Sequence, residues 1–191
     1  MKEFVTVDGK ELRLGYTTGS CAAAASKAAA IMLLTGKEVS QIRLLTPKGL
    51  ELELEVEDIT IEKDAVSCAI RKDSGDDPDV THGALVYSRV SFADDSGVHI
   101  DGGIGVGRVT KPGLDQPVGN AAINSTPRRM IRENLEEVME MTSYDGGLDV
   151  VISIPKGEEL ARKTFNPRLG IEGGISVIGT TGIVEPMSEK L

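Results

Sequence analysis

Residues 14–38 read LGYTTGSCAAAASKAAAIMLLTGKE, and the layout of the chain follows from them. Alanine has the best intrinsic helix propensity, and Ala22 to Ala30 is almost all alanine. Gly36 stands where a C-terminal cap belongs, and Thr17, Thr18 and Ser20 place hydroxyls around the helix start, as N-caps do. Side chains this small predict a helix pressed closely against a sheet. The alternative use of the Thr17–Ser20 end is to hold an anion on its amides and hydroxyls. The apolar run Cys21 to Leu34 is too short for a membrane span and carries Lys27.

On the N-terminal side, residues 3–14 alternate around Asp8-Gly9, which predicts a small hairpin. On the C-terminal side the period changes to two. Leu50, Leu52, Leu54 and Val56 alternate with Glu51, Glu53, Glu55 and Glu57, as in a half-buried antiparallel strand with an acidic solvent face. Pro47-Lys48-Gly49 and Lys63-Asp64 read as turns.

KDSGDDPDVTHG, residues 72–83, follows the next strand. Asp73, Asp76, Asp77 and Asp79 crowd it and His82 closes it, so it offers oxygen ligands for a divalent cation or a general base. It lacks the glutamate of an EF-hand loop, and the same residues are what turns are made of.

Leu85–Asp94 and Val98–Val109 read as long strands paired through the turn Asp94-Asp95-Ser96-Gly97. The second runs into DGGIGVGRVTKPGL, residues 101–114, continuing through Val109 and opening into a turn at Pro112-Gly113; Gly102, Gly103, Gly105 and Gly107 imply close approach to the main chain. Arg108 and Lys111 would meet whatever approaches. No helix opens after the last glycine, so this is not a dinucleotide fingerprint. After a loop, Thr126-Pro127 marks a helix start, with Met130, Ile131, Leu135 and Val138 on one face and Arg128 and Arg129 near its beginning. Asp149–Pro155 is a buried strand followed by a short helix. Ile175–Ile178 then reads as a strand, Gly179-Thr180-Thr181-Gly182 as a tight turn and Ser188 as a helix start, together the opening of an α/β unit.

The 191 residues suffice for one domain, or one and the beginning of another. Aromatics make up only 3%, which disfavours base stacking, and a net charge of −9 argues against nucleic acid and anionic membrane as partners. Local clusters of cations (Arg128, Arg129 and Arg132; Lys156, Arg162, Lys163 and Arg168) still suit a small polyanion. Cys21 and Cys68 form neither a disulfide framework nor a zinc signature, and with no signal peptide in sight the expectation is a soluble cytoplasmic protein.

Four stretches together carry a resemblance: LGYTTGSCAAAASKAA (14–29), KDSGDDPDVTHG (72–83), GVGRVTKPGL (105–114) and NPRLGIEGGISVIGTTGIVEPMS (166–188). In that order they resemble the cobalt-precorrin-5B C-1 methyltransferase family of anaerobic cobalamin synthesis, the CbiD family. The resemblance implies transfer of a methyl group from S-adenosylmethionine to a ring carbon of a cobalt-containing corrin precursor. It also implies an α+β domain over residues 1–174, resembling the second domain of a small-subunit ribosomal protein, and the start of a Rossmann-like domain over 175–191. The sheet is expected to be mainly antiparallel or mixed, packed by the alanine-rich helix and a second helix.

A corrin precursor carries many carboxylates, so Gly105, Gly107, Arg108, Lys111, Arg128, Arg129 and Arg168 are candidates to bind it. Thr17, Thr18, Ser20, Gly179, Thr180, Thr181 and Gly182 are candidates for the methyl donor, and Asp76 and His82 for proton uptake. No metal site is assigned. Two other readings compete: a metal-dependent hydrolase built on Asp73, Asp76, Asp77, Asp79 and His82, and a non-catalytic module that binds the tetrapyrrole or a partner protein.

Overall fold

The computed structural model describes residues 4–7, 9–164 and 166–186. Strands β1 (Phe4–Val7) and β2 (Lys10–Arg13) pair antiparallel as the expected hairpin; Asp8 of its turn lies outside the described residues. After the short β3 (Gly15–Tyr16), helix α1 spans Thr18–Thr35. Thr17 Oγ1 accepts the Ser20 amide at 3.1 Å, and Gly36, at φ 73°, returns its own amide to the Met32 carbonyl. Both caps stand where the sequence places them. Thirteen of the eighteen residues are buried, because α1 is enclosed by the sheet and by a second helix, and small side chains let all of them come close. By length and composition alone α1 could also cross a membrane, but its burial marks a core helix.

The period-two region forms β4 (Gln41–Leu45) and β5 (Glu51–Glu55), a hairpin that buries Ile42, Leu44, Leu52 and Leu54 and leaves the glutamates outside. Next come β6 (Glu57–Ile61), β7 (Ala65–Arg71), β8 (Leu85–Ala93), β9 (Gly97–Gly102), β10 (Gly105–Val106) and β11 (Arg108–Val109). Helix α2 (Ser125–Met141) buries Met130, Ile131, Leu135 and Val138, the predicted face, and is followed by β12 (Gly147–Ser153). The chain ends through α3 (Gly157–Ala161), α4 (Asn166–Leu169), β13 (Ile171–Glu172), β14 (Gly174–Ile175) and β15 (Ile183–Val184).

The main sheet has the order β6-β7-β8-β12-β9, and this corrects one expectation. β8 and β9 are not partners: β12 runs between them, antiparallel to β8 and parallel to β9. The inner side chains of β12, Leu148, Val150 and Ile152, are almost wholly buried, and its backbone is paired along both edges. The turn that leaves β8 passes over Gly147, where an added Cβ would lie 1.6 Å from the Asp95 carbonyl oxygen. Glycine at the first position of β12 is what lets the strand slide beneath that turn.

A second correction concerns Val98–Val109. It is not one strand: it breaks after Gly102, and β10 pairs in parallel with β14 while β11 pairs antiparallel with β13. Gly102, Gly103, Gly105 and Gly107 do mark close approach, but by the protein's own atoms: side chains at Gly102, Gly103 and Gly107, and backbone at Gly105. Gly105, at φ 80°, would place a Cβ 1.7 Å from the Ile154 carbonyl oxygen. Of the strand expected over Ile175–Ile178, Ile175 belongs to β14 and Val177 bridges to Ile123. The expected helix start at Ser188 lies outside the described residues.

Candidate functional site

Three segments far apart in the sequence meet at the start of α1. The C-terminal segment crosses the helix end, and the Gly19 amide donates to the Ile178 carbonyl at 2.9 Å. Thr18 Oγ1 accepts the Ile178 amide at 3.0 Å, and Ser20 Oγ donates to the Gly182 carbonyl at 2.8 Å. Gly179 permits the approach, since a Cβ there would lie 2.3 Å from Thr17 Oγ1. Thr181 closes its own turn by donating to the Ile183 carbonyl at 2.9 Å, and Thr180 is exposed. The amides of Gly19, Ser20 and Cys21 are all bonded within the protein. The residues expected to hold the methyl donor therefore form one stitched junction, and what they offer a ligand is a wall rather than bare amides.

The loop 72–83 supplies the opposite wall. Asp73 accepts both guanidinium nitrogens of Arg13, at 2.7 and 2.9 Å, and the Gly75 amide at 2.8 Å. The guanidinium hydrogen bonds hold its carboxyl below the usual range. Asp76 Oδ2 accepts the Arg13 amide at 2.6 Å. His82 Nδ1 accepts the Ser74 amide at 3.0 Å, which makes that nitrogen the unprotonated one and leaves Nε2 as the donor. Asp76 and His82 are thus brought onto one exposed side of the loop. Asp73 and Asp76 both bond to Arg13 and Asp79 to Thr81, and among the described residues no three His, Cys, Asp or Glu side chains are grouped to hold a metal ion. The hydrolase reading loses its geometric basis here.

Lys72 was not among the expected site residues, yet it lies at the centre. Its side chain is only 2% exposed, and Nζ donates to Ser74 Oγ at 2.8 Å and Thr81 Oγ1 at 2.9 Å. A sequence signal existed: Val66, Cys68 and Ile70 face inward, and the same period of two puts Lys72 inward next. Hollows open on either side of it. One is a polar cleft of about 470 Å³, walled by Arg13, Tyr16, Arg71, Asp73 and His82. The other is a slot of about 240 Å³ between Thr17 and Thr18, Asp79 to Thr81, and Asn166 with Ile175, Ser176 and Ile178. The polar cleft is larger, but the slot draws residues from three of the four distinctive stretches, and it is the better candidate site.

The glycine-rich stretch is placed elsewhere. Arg108 donates to the Asp101 carboxylate at 2.9 Å and the Gly102 carbonyl at 3.0 Å, and Lys111 Nζ to the Arg168 carbonyl at 2.9 Å. Arg128 donates to the carbonyls of Ile123 at 2.6 Å and Ala121 at 3.0 Å, and burial lowers its pKa. A Cβ on Gly107 would meet Ile171 Cγ2 at 2.5 Å. Arg129 and Arg168 are exposed. These cations are not gathered around the slot.

The fold and the slot define an α+β domain whose mainly antiparallel sheet carries its helices and a small hollow at the start of the core helix. The chain belongs to the CbiD family, whose pattern it matches over residues 5–186. It is 56% identical over 190 residues to the cobalt-precorrin-5B C(1)-methyltransferase of Ruminiclostridium cellulolyticum, covering all of this chain and 49% of that protein. It is 57% identical to the protein of the same name from Alkaliphilus metalliredigens, covering 50% of it. A crystal structure of cobalamin biosynthesis protein (cbiD) from Archaeoglobus fulgidus superposes with a TM-score of 0.71 at 37% identity, over 96% of this chain and 58% of that one. The chain spans about half the length of the curated relatives it matches.

Proposed function

We propose that this chain provides the N-terminal part of a cytoplasmic S-adenosylmethionine-dependent methyltransferase that methylates C-1 of cobalt-precorrin-5B, giving cobalt-precorrin-6A. The supporting observation is the convergence of residues 17–18, 79–81 and 166–178 on one slot, in a chain that shares its family with proteins of that name. Small-molecule pockets are usually about 300–1,000 Å³, so a slot of about 240 Å³ fits one portion of the methyl donor, not all of it. When bound, the donor supplies an electrophilic methyl group on a sulfonium. This chain's contribution is then alignment, which dominates a transfer of that kind.

Thr17, Thr18 and Ser20, with Gly179 to Gly182, hold the donor side by fixing the junction that walls the slot. Exposed Arg129 and Arg168 suit the carboxylates of the corrin, while Arg108, Lys111 and Arg128, with Gly105 and Gly107, hold the surface on which it rests. For proton uptake Asp76 is the better placed, because the basic nitrogen of His82 is occupied by the Ser74 amide. The second, Rossmann-like domain proposed from residue 175 rests on the family resemblance, and residues 175–186 pack on the first domain, β14 against β10 and β15 against β3. The further likeness to the second domain of a small-subunit ribosomal protein draws support from the antiparallel sheet with helices packed on it.

Incubating the chain with cobalt-precorrin-5B and methyl-labelled donor tests the reading. Label in the corrin product sustains it. A folded chain that binds the corrin and transfers no label is instead the non-catalytic tetrapyrrole-binding module.

A further inference from the structure

The loop 72–83 contains two ion pairs of opposite character. Arg13 and Asp73 are closed on each other through two hydrogen bonds. Lys72 and Asp79 are not: Nζ stands 3.7 Å from Oδ2, outside hydrogen-bond distance. A charge-assisted pair of this type closes at about 2.7–2.9 Å when nothing prevents it. Two of the three ammonium protons go to neutral hydroxyls, and the third has this distant oxygen as its partner. Asp79 is ordered independently, with Oδ1 accepting the amide and the hydroxyl of Thr81, both at 2.8 Å. Burial opposes its charge, but the Thr81 hydrogen bonds and the charge of Lys72 hold its carboxyl below the usual range, so it is an anion at neutral pH. Its side chain remains 35% exposed, whereas that of Lys72 is 2% exposed. Both residues line the slot.

A fixed cation and a fixed anion a few ångströms apart, opening on a small hollow, complement a ligand that carries the same two charges in reverse. We propose that the slot takes the amino-acid end of a ligand, with Lys72 pairing its α-carboxylate and Asp79 its α-ammonium. Thr17 and Ser176 border the same hollow, and Ile175 and Val80 give an apolar wall for the methylenes of the side chain. The volume suits an amino-acid moiety and excludes an attached nucleoside, which must lie outside the slot. The inference deepens the methyl-donor reading and rests on it, since S-adenosylmethionine is a nucleoside joined to such a zwitterion.

Calorimetric titration of the 191-residue chain decides it, with S-adenosylhomocysteine as one probe and 5′-methylthioadenosine, which lacks the amino-acid end, as the other. Hydrogen bonds to charged groups predict about ten- to hundred-fold tighter binding of S-adenosylhomocysteine. Asp79→Asn and Lys72→Met are expected to abolish that preference while leaving 5′-methylthioadenosine affinity unchanged, a selectivity that a purely structural role would not produce. If Lys72→Met does not fold, Asp79→Asn, at the more exposed position, carries the test alone. Equal wild-type affinity for both probes, or a preference that survives in a folded Asp79→Asn protein, overturns the zwitterion assignment and leaves the methyl-donor reading standing. A cooperatively melting wild-type chain that binds neither probe overturns both.

Discussion

The glycine stretch 101–114 and the loop 72–83 read much alike in sequence: each joins turn-forming residues to charged ones, and each invites a ligand. The fold uses them differently. In the first, Gly102, Gly103, Gly105 and Gly107 are met by the protein's own side chains and backbone, and Arg108 and Lys111 are spent on carbonyls and a neighbouring carboxylate. In the second, Arg13 locks the outer half of the loop, while the inner half leaves Lys72 and Asp79 apart beside a hollow. A glycine shows that something comes close. It does not show whether that is a ligand or the chain itself.

The contrast can be broken experimentally, and the most severe test is Gly105→Ala. With φ at 80° and a Cβ 1.7 Å from the Ile154 oxygen, the backbone must move, and a loss of about 4 kcal/mol or more is expected in denaturant unfolding. Wild-type stability in this variant would mean that the stretch has room for a ligand after all. Next comes Arg128→Met, which removes the donors to the Ile123 and Ala121 carbonyls and is expected to cost about 1–3 kcal/mol. A change near zero would mean that the Arg128 guanidinium is not committed to those carbonyls.

Asp73→Asn sharpens the other side of the comparison. The pair with Arg13 is about one-third exposed, so about 1 kcal/mol at neutral pH is expected. Because the folded carboxyl titrates below its unfolded value, that contribution is complete above about pH 4. It disappears as the pH falls through the lowered folded value, so wild type and variant converge in acid. Melting curves that stay parallel down to pH 2 or so would contradict the pairing. The smallest effect belongs to Arg129→Ala: within about 0.5 kcal/mol in stability, with any loss appearing in affinity for the proposed corrin ligand.

Much of the fold was legible because local rules and burial agreed. Thr17 and Gly36 cap α1, and the glutamate alternation gives β5 its two faces. The apolar face of α2 is the one its periodicity marks. The pairing of β8 with β9 failed because a short turn between two strands is a local signal, while β12, which takes the place between them, comes from far along the chain. Lys72 was passed over because a lysine at the end of a strand reads as solvated. Its partners Ser74 and Thr81 are close in sequence, but only the crossing of residues 176–178 over α1 closes the hollow around it.

By itself the sequence determined the elements, their caps, their buried faces and the family, since these depend on propensity, period and the identity of short stretches. Only the tertiary structure decided which strand lies at the sheet's interior, which atoms fill the space beside Gly102, Gly103, Gly105 and Gly107, and which cations the protein's own carbonyls engage. Those outcomes depend on contacts between residues far apart in the chain, where a single added carbon or a span of 3.7 Å separates a closed contact from an open one.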